Sequence, residues 1–112
     1  MDCIFCKIVS KDIPAEILYE NESVLVFKDL NPVAPIHFLA ITKEHISCTN
    51  DINSKNKHLI GEIFEVISLI CKKKDIPTEY RIVNNCGAKA GQTVPHIHFH
   101  ILGGRELSWP PG

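Results

Sequence analysis

The sequence lacks a surplus of either charge. Twelve Lys and Arg stand against thirteen Asp and Glu, a formal net charge of −1 at pH 7. That balance gives no broad electrostatic footing for a nucleic acid or an anionic membrane, so neither is expected as a partner. A small charged metabolite stays compatible, because local fields govern its binding more than net charge does. Long apolar runs are missing too. The longest falls far short of a membrane span, and "MDCIFCKIVSKDIP" has none of the apolar core of a signal peptide. The five cysteines, Cys3, Cys6, Cys48, Cys71 and Cys86, are odd in number, which speaks against a disulfide framework. A reducing cytoplasm is the expected setting. No repeat, low-complexity tract or interior linker interrupts the 112 residues. That length suits a single domain, 1–112, with a modest core, so an obligate homodimer is compatible with it.

What is present is a pattern of short strands and one long helix. "CIFCKIVSKDIP" predicts a short N-terminal helix with Ile4, Phe5, Ile8 and Val9 on one side, limited by Pro14. "ILYENESVLVFKDL" reads as two strands around a polar turn at Glu20 to Glu22. The prolines of "NPVAP" make Asn31 to Pro35 a loop. "IHFLAITK" is a strand with His37, Leu39 and Ile41 on one face. Leu59, Ile60, Ile63, Phe64, Ile67, Ile70 and Cys71 follow the helical template, which predicts a helix from about Asn53 to Lys74. Val66 and Leu69 widen its apolar surface, so a second side is expected to be covered, by another subunit or by its own fold. "YRIVNN" and "HIHFHILGG" complete the strands, with "CGAKAG" a turn and residues from about 103 to 112 an irregular tail. The predicted class is α+β: an antiparallel sheet of about five strands, one long helix and one short N-terminal helix.

Half of the six histidines sit in "PHIHFHILGG". A strand sends alternate side chains to one face, so His96, His98 and His100 share a face, about 6.5–7 Å apart. Ile97, Phe99 and Ile101 take the other, which must look into the core. The histidine face is then expected to line a surface or cleft. Three uses fit such a row. It can be polar surface, a zinc-binding set of neutral imidazoles, or phosphate chemistry. In the last, an unprotonated imidazole serves as nucleophile while a neighbour neutralises charge or protonates a leaving group.

"HIHFHIL" resembles the signature of the histidine triad (HIT) superfamily. "DLNPVAPIHFLAITKEHI", "RIVNNCGAKAGQTVPHIHFHILGGR" and the terminal "WPPG" resemble its Hint branch, the purine nucleoside phosphoramidases, over nearly the whole chain. The resemblance implies hydrolysis of a nucleoside monophosphate from an amine such as lysine, through a covalent nucleotidyl-histidine, with no metal needed for the chemistry. It puts the nucleophile at His98, with His96, His100, His37 and Thr93 beside the phosphate. It further implies Gln92, Asn85 and Gly91 near the phosphate, Asp29 on the ribose, and Ile4, Phe5, Ile8 and Phe27 around a purine, AMP or GMP. Trp109 belongs to a tail that reaches the partner subunit's site in such proteins, so a homodimer is implied. Thr93 replaces a Ser of the family, and Pro95 a larger residue, which puts leaving-group preference in doubt. The pair in "CIFC" is absent from the animal members. In zinc-binding bacterial members it joins two histidines, which here makes Cys3, Cys6, His45 and His96 a structural zinc set. The alternatives are a nucleotide- and zinc-binding regulatory module with weak catalysis, and a dinucleoside polyphosphate hydrolase, against which the "WPPG" tail argues.

Overall fold

Cys3 starts the chain's first helix: its Sγ accepts the Cys6 N–H at 3.4 Å, capping α1 (Ile4–Val9). The computed structural model describes residues 3–73 and 79–112. Beyond α1 run β1 (Ile17–Glu20), β2 (Val24–Lys28), β3 (Ile36–Thr42), α2 (Lys57–Lys73), β4 (Tyr80–Val83) and β5 (His98–Gly103). The strands form one sheet in the order β1-β2-β3-β5-β4, every neighbouring pair antiparallel. Asn21 makes the first hairpin, its Oδ1 accepting the N–H groups of Ser23 at 2.9 Å and Val24 at 2.8 Å. The expected fold class is therefore the observed one.

Both faces of the sheet are covered. On one, α2 lays Leu59, Ile63, Val66, Ile67 and Ile70 over Val24, Val26, Phe38, Ala40, Ile97, Phe99 and Ile101. On the other, α1 lays Phe5 and Ile8 over Leu25, Phe27, Leu39 and Ile41. β2 is consequently buried at four successive positions, Val24 to Phe27. Each aliphatic side chain so enclosed contributes about 1.5–3 kcal/mol of burial free energy.

Two expectations need correction. The long helix begins at Lys57, not Asn53. Asn53 Oδ1 accepts the Lys55 and Asn56 N–H groups, and Asn56 Oδ1 accepts that of Asn53. These side-chain bonds hold 53–56 as a turn that competes with helix. The expected end at Lys74 lies outside the described residues. The last strand begins at His98, not His96. Pro95 carries no N–H, and the Ile97 N–H goes to the Ile46 carbonyl at 2.6 Å rather than to a strand. The histidine face lines a cleft, one of the two settings expected for it, with His96 and His98 buried beneath α1. α2 keeps an uncovered side within the chain, with Phe64 46% and Leu69 41% exposed.

Candidate active site and metal centre

β3 and β5 pair so that Ile41 stands opposite His98, and Leu39 opposite His100. The three triad histidines thereby stay on the α1 side, although only two belong to the strand. Phe5 of α1 meets the His98 ring edge-on, 5.1 Å between centroids. The His98 and His100 rings are likewise 5.1 Å apart.

Hydrogen bonds decide what each ring can do. His98 Nδ1 lies 2.7 Å from the His96 carbonyl oxygen. A carbonyl only accepts, so Nδ1 carries the proton and the free lone pair of neutral His98 is on Nε2. His37 Nδ1 accepts the Val33 N–H at 3.1 Å, which puts the His37 proton on Nε2. That N–H stands 2.9 Å from His100 Nδ1 and 3.3 Å from Asp29 Oδ2. His100 therefore accepts at Nδ1 and keeps its own proton on Nε2. Burial lowers the pKa of His100 to about 4, helped by repulsion from His98 and His37 and opposed by Asp29. Burial also lowers that of His37, with Asp29 opposing. Both rings are neutral at pH 7, and the single His37 N–H is shared between two acceptors, His100 Nδ1 and Asp29 Oδ2.

His98 and His100 open into a cavity of about 250 Å³. Ile4, Phe5, Ile8 and Phe27 form its apolar wall, and Asp29 and Thr93 stand on its rim. The other expected residues take different places. Gln92 spends its amide on backbone: Nε2 donates to the carbonyls of Ser47 (2.7 Å) and Val94 (3.0 Å), and Oε1 accepts the Gly87 N–H at 2.8 Å. Gly91 has φ +100°, and a Cβ there would stand 3.3 Å from Asn85 Nδ2. Its freedom thus serves a left-handed turn packed on Asn85. Trp109 is 79% exposed, on a tail held away from this cavity by Arg81, whose Nη2 donates to the Leu107 and Ser108 carbonyls. A wider cleft of about 540 Å³ beside Arg81 contains no histidine, so the chemistry selects the smaller cavity.

The third histidine faces elsewhere. His96 Nε2–H donates to the Thr42 carbonyl at 2.7 Å, leaving a lone pair on Nδ1. That atom looks at Cys3 Sγ (3.4 Å), Cys6 Sγ (3.6 Å) and His45 Nδ1 (3.3 Å). Cys6 Sγ and His45 Nδ1 are 3.3 Å apart. A tetrahedral ion with zinc-like bond lengths sets its nitrogen and sulfur ligands about 3.3–3.7 Å from one another. The donor set fits in type, number and spacing. The second nitrogens of both rings have partners, Thr42 and, for His45, the Ser47 hydroxyl at 3.3 Å. Burial and the neighbouring Cys3 raise the Cys6 thiol's pKa, and burial lowers that of His96 to about 4. A cation at the centre would favour the thiolates and the neutral ring alike. Asp29, His37 and His100 also cluster within 4.8 Å. There, however, the His37 N–H points into the cluster, so these three suit a hydrogen-bonded set better than a metal.

A family model described as "Scavenger mRNA decapping enzyme C-term binding" matches residues 2–108. A HIT family hydrolase from Legionella pneumophila has a solved structure that is 40% identical. It superimposes with a TM-score of 0.95, covering 99% of this chain and 100% of that one. A histidine triad protein from Clostridium difficile is 47% identical, with a TM-score of 0.92 over 96% of this chain and 95% of that one. The chain belongs to the histidine triad (HIT) family. A Zea mays HIT relative, the "14 kDa zinc-binding protein", is 41% identical over 111 residues, 97% of this chain and 87% of that protein.

Asn84 is the residue of this HIT site that sequence reading missed. β4 ends at Val83, and the Asn84 side chain reaches across to donate from Nδ2 to the His98 carbonyl at 2.9 Å. The Thr49 hydroxyl in turn donates to Asn84 Oδ1. The one available signal was an amide immediately after a strand run, in "RIVNN". The carbonyls of Thr42 and His96, which set two tautomers, leave no trace in residue identity.

Proposed function

We propose that this HIT protein hydrolyses purine nucleoside phosphoramidates through a nucleotidyl-histidine intermediate. The observation that carries the reading is the 2.7 Å bond from His98 Nδ1 to the His96 carbonyl, which leaves Nε2 as a nucleophile at the cavity. His98 Nε2 attacks phosphorus and the P–N bond to the amine breaks. The leaving amine takes its proton from solvent at the open cavity, while the His100 Nε2–H, its ring fixed by the His37 N–H at Nδ1, donates to a phosphoryl oxygen. Water then attacks phosphorus and the bond to His98 Nε2 breaks; the proton that water loses goes to solvent, His98 is neutral again, and the nucleoside monophosphate leaves.

Ile4, Phe5, Ile8 and Phe27 hold the purine between apolar walls. Asp29 accepts from the ribose hydroxyls with lone pairs left over from its bond to the Asn31 N–H at 2.8 Å. Thr93 donates to the phosphate, while Gln92, Asn85 and Gly91 shape the turn behind it. Zinc belongs to the reading as a structural ion on Cys3, Cys6, His45 and His96, supported by the ligand spacing and by the zinc-binding relative. His96 then contributes to catalysis through its carbonyl rather than its ring. A cytoplasmic homodimer completes the reading. The uncovered Phe64 and Leu69 of α2 support a partner copy there, against which Trp109 would find a place.

The test is release of amine from a fluorogenic purine nucleoside phosphoramidate by the unaltered chain and by His98→Ala, with and without chelator. Release that His98→Ala abolishes and chelator spares is the expected result. No release from folded protein would leave a nucleotide- and zinc-binding module. Release stopped by chelator while the fold persists would assign the chemistry to the metal.

A further inference from the structure

Three cysteines stand outside the metal centre. Cys71 is buried in α2 beside the Tyr80 hydroxyl. Cys48 and Cys86 differ: both are half-buried, and two cross-links bracket them. On one side the Gln92 amide ties Ser47, the neighbour of Cys48, to Gly87, the neighbour of Cys86, at 2.7 and 2.8 Å. On the other, Thr49 bonds to Asn84. The residues before and after Cys48 are thus each fastened to the segment that carries Cys86. Within this frame the Cys48 thiol donates to Asp51 Oδ2 at 3.9 Å, and the Cys86 thiol is near enough to push the Cys48 pKa up.

We propose that Cys48 and Cys86 are a dithiol which a small-molecule disulfide oxidises reversibly to an intramolecular disulfide. One thiolate attacks a sulfur of the oxidant and expels the first small thiol, leaving a mixed disulfide. The second cysteine gives up its proton, attacks the protein sulfur of that mixed disulfide and expels the second small thiol. The two protein thiols lose two protons and two electrons, and the oxidant leaves as two thiols. Proximity, not acidity, makes the pair. The Asn50 N–H pulls the Cys48 pKa down, but burial, Cys86 and Asp51 together outweigh it and the net shift is upward. Because the flanking residues are already joined, the two segments are held side by side while the bridge closes. The bridge would fasten the segment whose Asn84 holds the His98 carbonyl, so the modification sits one residue pair away from the proposed nucleophile's support.

The experiment incubates the folded full chain, supplied with equimolar zinc, with glutathione disulfide. Free thiols are then alkylated and the digest is mapped by mass spectrometry. The expected product is a Cys48–Cys86 peptide, with an intact mass about 2 Da lower that dithiothreitol restores. Cys48→Ser and Cys86→Ser should each instead retain one glutathione on the remaining cysteine. Persistent glutathione on both cysteines of the unaltered chain overturns the proposal. So does linkage confined to Cys3 and Cys6, linkage between chains, or no reaction. The map of the unaltered chain decides by itself if a serine variant does not fold.

Discussion

Two histidine clusters lie on the same face of one sheet, and they point their protons in opposite senses. Around His96 the ring N–H groups are turned outward, to Thr42 for His96, and bare nitrogen lone pairs converge on two sulfurs. Around His100 the His37 N–H is turned inward, toward His100 and Asp29. The first arrangement suits a cation; the second holds the His100 ring with its own N–H on Nε2. His98 stands between them and takes its tautomer from the carbonyl of His96. The same residue type thus acquires three roles from which backbone oxygen or amide lies at its second nitrogen.

The strongest way to break this comparison is to remove zinc. Zinc at about 1,000 times its Kd stabilises the fold by about 4 kcal/mol, so Cys3→Ser or chelation should lower the Tm by more than about 10 °C. Differential scanning calorimetry with and without zinc checks this. An unchanged Tm would mean that the His96 cluster is no metal centre. The His100 cluster is probed by His37→Gln, which removes the inward ring N–H that fixes His100. Phosphoramidate kcat should drop by about 10²-fold with KM little changed. An equal loss in KM would instead give His37 a substrate-binding role.

Titration sharpens the contrast at a smaller scale. His100 has a folded pKa of about 4, below its ordinary 6.5. As pH falls from about 6.5 toward 4, the unfolded chain binds a proton that the folded chain refuses, so stability is lost on acidification. The stabilisation is complete above about pH 6.5, and about 2 kcal/mol of it should vanish by pH 4. Urea unfolding of His100→Gln against the unaltered chain isolates this slope, which the variant should lack. The smallest expected effect is that of Asn84→Ala. Loss of its bond to the His98 carbonyl should cost about 1 kcal/mol in urea unfolding. If stability is unmoved, the amide does not support the strand end.

The strands were legible because apolar alternation and turn residues punctuate them, as at Asn21 and in "IHFLAITK". α2 was legible from its period, but its start was not, since the bonds among Asn53, Lys55 and Asn56 are decided by local geometry. That the histidine face lines a cleft rather than open surface also has a signal in the sequence. The unbroken apolar run Val24 to Phe27 already marks a strand covered on both sides.

The sequence by itself determined the α+β class and the shared face of His96, His98 and His100. It also carried the four candidate ligands Cys3, Cys6, His45 and His96, because residue type and period are written in it. Only the tertiary structure decided that the His96 ring turns to the cysteines while its carbonyl turns to His98. It alone placed Asn84 on the strand end and tied the neighbours of Cys48 to the segment that carries Cys86. The reason is physical: a tautomer follows from the atom facing the ring, and such atoms are main-chain oxygens or residues distant in sequence, brought there by packing.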